Sequence, residues 1–142
     1  MIKRLFWIPL LVVLLSGCSW LDQVNQSLDY TGEAASYINE ATQFAESLPG
    51  LAQQAVTDTN ARESLIAELE NMKARISEFN GLEAPEFAAQ AHEQLVALNQ
   101  TLLENINAYL EQIQNGIVDI QNSDIMQTVG KIKETMDMIQ NL

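Results

Sequence analysis

The chain has 142 residues, 19 acidic against 7 basic, with one Cys and one His. That is one domain's worth of chain, long enough for a core but short for a two-domain enzyme. A single Cys excludes a disulfide framework and a Cys-based zinc site, and a net charge of −12 argues against binding nucleic acid, which needs Lys and Arg against phosphate.

Lys3 and Arg4 form a short basic start, and Leu5 to Leu15 follow with no charged side chain. Eleven residues of helix span about 16 Å, roughly half the ~30 Å hydrocarbon core, and Pro9 interrupts them. The pattern predicts a secretory signal rather than a permanent span. It ends in Leu15-Ser16-Gly17-Cys18, which resembles the bacterial lipobox, in which the Cys thiol receives a diacylglyceryl group and becomes the first mature residue. The alternative is an ordinary signal peptide with a bystander Cys. The position of the sole Cys favours lipidation, and two acyl chains give stable attachment.

Cleavage before Cys18 leaves 125 residues, with five basic residues against nineteen acidic ones and a net charge of −14. No second apolar stretch approaches spanning length. The predicted organisation is a lipoprotein signal peptide over 1–17, a lipidated Cys and juxtamembrane segment over 18–32, and a helical bundle over 33–142. Ser19, rather than Asp, does not resemble the signal that retains lipoproteins at an inner membrane. Trp20 suits either the headgroup level or the first turn of a packed helix.

Trp20, Leu21, Val24 and Leu28 share one register, which changes near Gly32, where a kink is expected. Tyr30, Ala34, Tyr37, Ala41, Phe44 and Leu48 then recur at alternating spacings of four and three, a heptad seam. Pro49-Gly50 predicts the end of this helix near Ser47, with a short helical turn over 51–56. Asn60 with Glu63 suggests a new N-terminus, and Leu65, Leu69, Met72, Ile76 and Phe79 form the second seam. Asn80-Gly81 predicts a left-handed stop.

Pro85 is expected in the first turn of the third helix. Its seam reads as eleven-residue lines: Phe87, Leu98 and Tyr109; Ala91, Leu102 and Ile113; Leu95 and Ile106. Residues 85–115 would span about 45 Å and outreach their neighbours. Asn115-Gly116 closes the helix, 117–122 connect, and Ser123 is the expected cap of a fourth helix with Ile125, Val129, Ile132, Met136 and Ile139 inward. The fold class is therefore all-α, an up-and-down bundle of about four helices. Such seams serve bundles and coiled coils alike, so the oligomeric state is open.

The chemistry is sparse. His92 has Ala88, Ala89, Leu95 and Val96 at helical spacing, none a metal donor, and is expected as a hydrogen-bonded boundary residue. The pairs Glu86 with Glu93 and Glu104 with Glu111 share helix sides and read as a solvated face, with a weak cation or recognition patch as the alternative. Glu70 with Lys73, Arg75 with Glu78, and Lys133 with Asp137 suit local ion pairs. Met126, Met136 and Met138 suggest core filling, at least for the first two. No catalytic residue, metal site or cofactor is expected.

The chain resembles a family of small uncharacterised lipoproteins from Bacillus and relatives that carry a domain of unknown function. The resemblance lies in Ser16-Gly17-Cys18-Ser19-Trp20-Leu21-Asp22, Tyr37-Ile38-Asn39-Glu40-Ala41-Thr42, Ala52-Gln53-Gln54-Ala55-Val56-Thr57-Asp58, and Phe79-Asn80-Gly81-Leu82-Glu83-Ala84-Pro85-Glu86 followed by His92. It implies a lipid-anchored protein on the extracytoplasmic face of a Gram-positive membrane and brings no catalytic residues. The expected function is a non-catalytic helical interaction module with an envelope protein partner. The alternative is a ligand- or cation-binding lipoprotein using a bundle groove or the acidic face.

Overall fold

A computed structural model describes residues 18–120 and 124–140, with the side chains of all of these except 18–24, 26, 139 and 140. The expected signal segment, with Leu15, Ser16 and Gly17, and the expected cap Ser123 lie outside the described residues, as do the side chains of Cys18, Trp20 and Ile139. Four helices follow in order: α1 (Cys18–Ala55), α2 (Thr59–Asn80), α3 (Ala89–Gln114) and α4 (Asp124–Gln140). The fold is the all-α bundle that the seams predict. No strand occurs among the described residues.

The helices close into a ring in which α1 packs on α2 and α4, and α3 on the same two. Contacts fix the directions. Glu40 meets Arg75, and Ala55 meets Arg62, so α1 and α2 run antiparallel. Tyr30 meets His92 and Tyr37 meets Asn99 at one constant offset, so α1 and α3 run parallel. That is the geometry of an up-and-down bundle. The inward faces are those read from the spacing: Tyr30 through Leu48 on α1, Leu65 through Phe79 on α2, and Ile125, Val129, Ile132 and Met136 on α4 are all buried.

Pro49 does not end α1, contrary to expectation. The helix runs from Cys18 through Gly32 without a break and on past Pro49 to Ala55, so the turn expected over 51–56 is its last part. Packing overrides the local stop, because Leu48, Ala52 and Ala55 extend the seam at spacings of four and three and are buried. Pro49 still lacks the N–H that would meet the Ala45 carbonyl, a defect that costs up to about 3 kcal/mol in a helix interior. Pro49→Ala is therefore expected to stabilise the bundle by about 1–2 kcal/mol in denaturant titration, part of the gain being offset by a freer unfolded chain. An unchanged midpoint would mean that the helix is already relaxed around the ring.

The helix ends differ in detail from the sequence expectations. Asp58, not Asn60, caps α2, its carboxylate accepting from the Asn60 N–H at 2.8 Å. Gly81 is right-handed, with φ −84°, and its N–H donates to both the Ser77 and Glu78 carbonyls, so α2 tightens at its end instead of turning left. Pro85 is extended and precedes a 3-10 turn over Glu86–Ala88, so α3 starts only at Ala89. As a result α1, with 38 residues, is the longest helix, and α3 has 26. α3 closes at Asn115-Gly116 as expected, and Gly116 is left-handed, with φ 83°. Ile117 N–H donates to the Gln112 carbonyl and Gly116 N–H to that of Ile113, the paired bonds of a Schellman stop.

The α3 seam differs most. Phe87 is exposed and Leu98 only half-buried. The buried line is Ala88, His92, Leu95, Asn99, Leu102, Ile106, Tyr109 and Ile113, at alternating spacings of four and three. It is a heptad seam with two polar members.

Candidate functional site

Those two polar residues organise the centre of the bundle. His92, on α3, is 9% exposed, and its Nδ1 lies 3.0 Å from the Tyr30 hydroxyl of α1. One heptad further along both helices, the Tyr37 hydroxyl donates to Asn99 Oδ1. Asn99 Nδ2 in turn donates to Asn80 Oδ1 at 2.8 Å, which brings α2 into the network. Phe79 of α2 fills the space between, stacked on Tyr37 at 4.4 Å and tilted against His92 at 5.1 Å. Two tyrosines thus reach across the bundle to two polar partners, and each pairing is tied to one register of α1 against α3.

Electrostatics keep this layer neutral. Burial lowers the His92 pKa, and the Glu93 carboxylate beside it acts weakly the other way. Burial raises both tyrosines, and the Asn99 bond to Tyr37 opposes it there. A neutral His92 with its proton on Nε2 accepts the Tyr30 hydroxyl; a protonated one has no lone pair for it. His92 was expected at the helix edge and is instead a core residue. The unfolded chain binds its proton near pH 6.5 and the folded chain only at lower pH, so His92 favours the folded state fully above about pH 6.5. Stability should fall as pH drops below that value, by at most about 1.4 kcal/mol per unit from this group, and level off under the folded pKa. Denaturant midpoints of the wild type and His92→Gln, compared between pH 7.5 and 5, test this. Parallel curves would show that His92 does not contribute.

A second feature lies on the outer face between α1 and α2. Glu40, Gln43, Phe44 and Ser47 face Glu68, Asn71, Met72 and Arg75 across an open groove of about 400 Å³. Arg75 closes one end, its guanidinium paired with Glu40 across the helices and with Glu78 on its own helix, and the Glu40 bond raises its pKa. The Arg75 and Glu78 pair was expected and the Glu40 link was not. Glu70 and Lys73 also pair, at 3.2 Å. Glu86, Glu93, Glu104 and Glu111 are exposed, as a solvated face requires, while Met136 is buried, Met126 half-buried and Met138 exposed.

Among the described residues no group of His, Cys, Asp and Glu is arranged to hold a metal ion, and no helix is long and apolar enough to cross a membrane. Of the positions singled out from the sequence, Cys18 is the first residue of α1 and Trp20 lies in its first turn. The backbone of α1 therefore leads without a break from Cys18 to the tyrosines of the polar layer.

This all-α chain belongs to a family of unknown function, DUF6376, which matches residues 30–142. The match begins at Tyr30, the first core residue among the described side chains. The chain is 40% identical over 129 residues to an uncharacterised lipoprotein, YybP, of Bacillus subtilis (strain 168), covering 89% of this chain and 87% of the relative. No solved structure matches it.

Proposed function

We propose that this chain is a non-catalytic helical interaction module, held on the extracytoplasmic face of the cell membrane by a lipid on Cys18. The observation that carries the proposal is the placement of the sole Cys. It follows Leu15-Ser16-Gly17 and opens the helix that runs into the core. Likeness to a protein named a lipoprotein supports it. The polar layer supports a structural role for its His and Tyr side chains, since the Tyr30 and Tyr37 hydroxyls and His92 Nδ1 are hydrogen-bonded within the bundle. The membrane is one partner, through the lipid, and an envelope protein is the other.

Metabolic labelling with palmitate tests the anchor. The wild-type chain should carry label and sediment with membranes, and Cys18→Ala should lose at least about ten-fold of the label, two buried acyl chains being the attachment. Label persisting on Cys18→Ala would contradict the proposal.

The groove between α1 and α2 favours a second reading, a ligand- or cation-binding lipoprotein. Its volume suits a small molecule, and Glu68 stands half-buried within it. A rise in thermal midpoint with a divalent cation or a cell-wall fragment, lost in Glu68→Gln, would support that reading. A flat response would remove it.

A further inference from the structure

The groove between α1 and α2 is built as two rungs. Glu40 and Arg75 form the first, a carboxylate on one helix against a guanidinium on the other. The antiparallel register that pairs them sets Ser47 of α1 across from Glu68 of α2, one heptad or about 10 Å further along. In this second rung the carboxylate faces a hydroxyl, where the first rung has its cation. Glu68 is half-buried and makes no hydrogen bond or ion pair among the described residues. A carboxylate partly withdrawn from water and left unpaired favours a positive partner.

The lining selects the kind of cation. Arg75 is committed to Glu40 and Glu78, so Glu68 is the one unpaired carboxylate lining the groove. A calcium site gathers six or more oxygens, usually from several carboxylates, so a single one suits a monovalent organic cation better. An ammonium brings three donors. Three acceptors stand ready for it: the Glu68 carboxylate, the Asn71 carboxamide one turn away, and the Ser47 oxygen, whose own proton goes to the Phe44 carbonyl. Between the rungs Phe44 and Met72 form a buried apolar floor. The methylenes of a lysine lie well on such a floor while its charged end reaches a carboxylate. Gln43, exposed on the α1 wall, is placed to hydrogen-bond a peptide group beside it.

We propose that this groove takes a lysine side chain from an extended segment of a partner protein, its ammonium completing the Glu68 rung. The inference rests on the interaction module proposed above and gives that module a surface. The distance between the rungs matches about three extended residues. The charge of the chain agrees, since 19 acidic residues against 7 basic ones draw a basic partner.

The test uses the full lipid-anchored chain in detergent, isotope-labelled at its methionine methyls and followed by NMR, with Met72 reporting the floor. It is titrated with a blocked tripeptide carrying lysine at its centre, with the norleucine counterpart, with putrescine and with calcium. The lysine peptide should bind at least about ten-fold more tightly than the norleucine one, as a charge-assisted hydrogen bond implies. Glu68→Gln should abolish that preference by removing the charge. Ser47→Lys should abolish it by supplying the cation from within. Neither position is in the core, so both variants keep the fold. Equal binding of the two peptides, or a Met72 signal that answers neither, overturns the inference and leaves the module reading to another surface. Putrescine or calcium binding more tightly than the lysine peptide, and only while Glu68 is present, overturns it and gives the groove to the small-ligand reading instead.

Discussion

Replacing Asn99 by Ala is expected to destabilise the bundle by about 3 kcal/mol, measured by denaturant unfolding. Asn99 is 0% exposed and serves two helices, accepting from the Tyr37 hydroxyl and donating to Asn80. Truncation leaves a cavity and strips that hydroxyl of its acceptor where water does not reach. Asn99→Leu should restore much of the volume and still cost about 1–3 kcal/mol, because the tyrosine donor stays unpaired. Combining it with Tyr37→Phe removes that donor as well, so the double variant should be more stable than Asn99→Leu alone. If the two changes simply add, the hydrogen bond is not energetically coupled in the folded protein. The apolar pair should also loosen the choice of register between α1 and α3, the use for which a lone polar residue in a heptad seam is best suited.

Leu48→Ala is the other large effect, expected at about 3–5 kcal/mol. Leu48 is fully buried, directly before Pro49. If α1 ended there, the side chain would sit on a fraying terminus and its loss would cost little. Because the helix continues with Ala52 and Ala55 against the core, its removal leaves a hole that neighbours on both sides hold open. Leu28→Ala, at an exposed position of the same helix, should change stability by less than about 0.5 kcal/mol. Similar costs at the two positions would contradict the description of α1 as a helix whose buried seam continues past Pro49.

Local pattern carried most of the fold. The seams of α1, α2 and α4 were legible because apolar residues alone mark them, and burial follows such a stripe whenever a partner helix exists. Pro49 misled because a stop signal is a local preference of a few kcal/mol, and three buried side chains beyond it outweigh that. The α3 seam was misread because His92 and Asn99 interrupt it. Seeking apolar residues alone drew the eleven-residue lines and enlisted Phe87, which faces solvent. The usable signal was paired: Tyr30 and Tyr37 are seven apart on one seam, and His92 and Asn99 are seven apart on another. Polar side chains in register on two heptad seams have reason to meet across a bundle. The Glu40 bond to Arg75 left no such mark, since Glu78 three residues on already accounted for the arginine.

The acidity also gains a clearer place. The carboxylates singled out in pairs, Glu86 with Glu93 and Glu104 with Glu111, are solvent-facing, whereas the groups inside the polar layer are uncharged near neutral pH. The charge therefore belongs to the surface and its surroundings, where it disfavours close approach to anionic headgroups and wall polymers. The proposed attachment therefore rests on a lipid at Cys18 and not on surface charge.

The intact mass of the protein extracted from cell membranes tests that attachment most directly. The account predicts a chain beginning at Cys18 and heavier than its 125 residues by a diacylglyceryl group. A chain that still begins at Met1, or one cut near Cys18 with its thiol free, would contradict it.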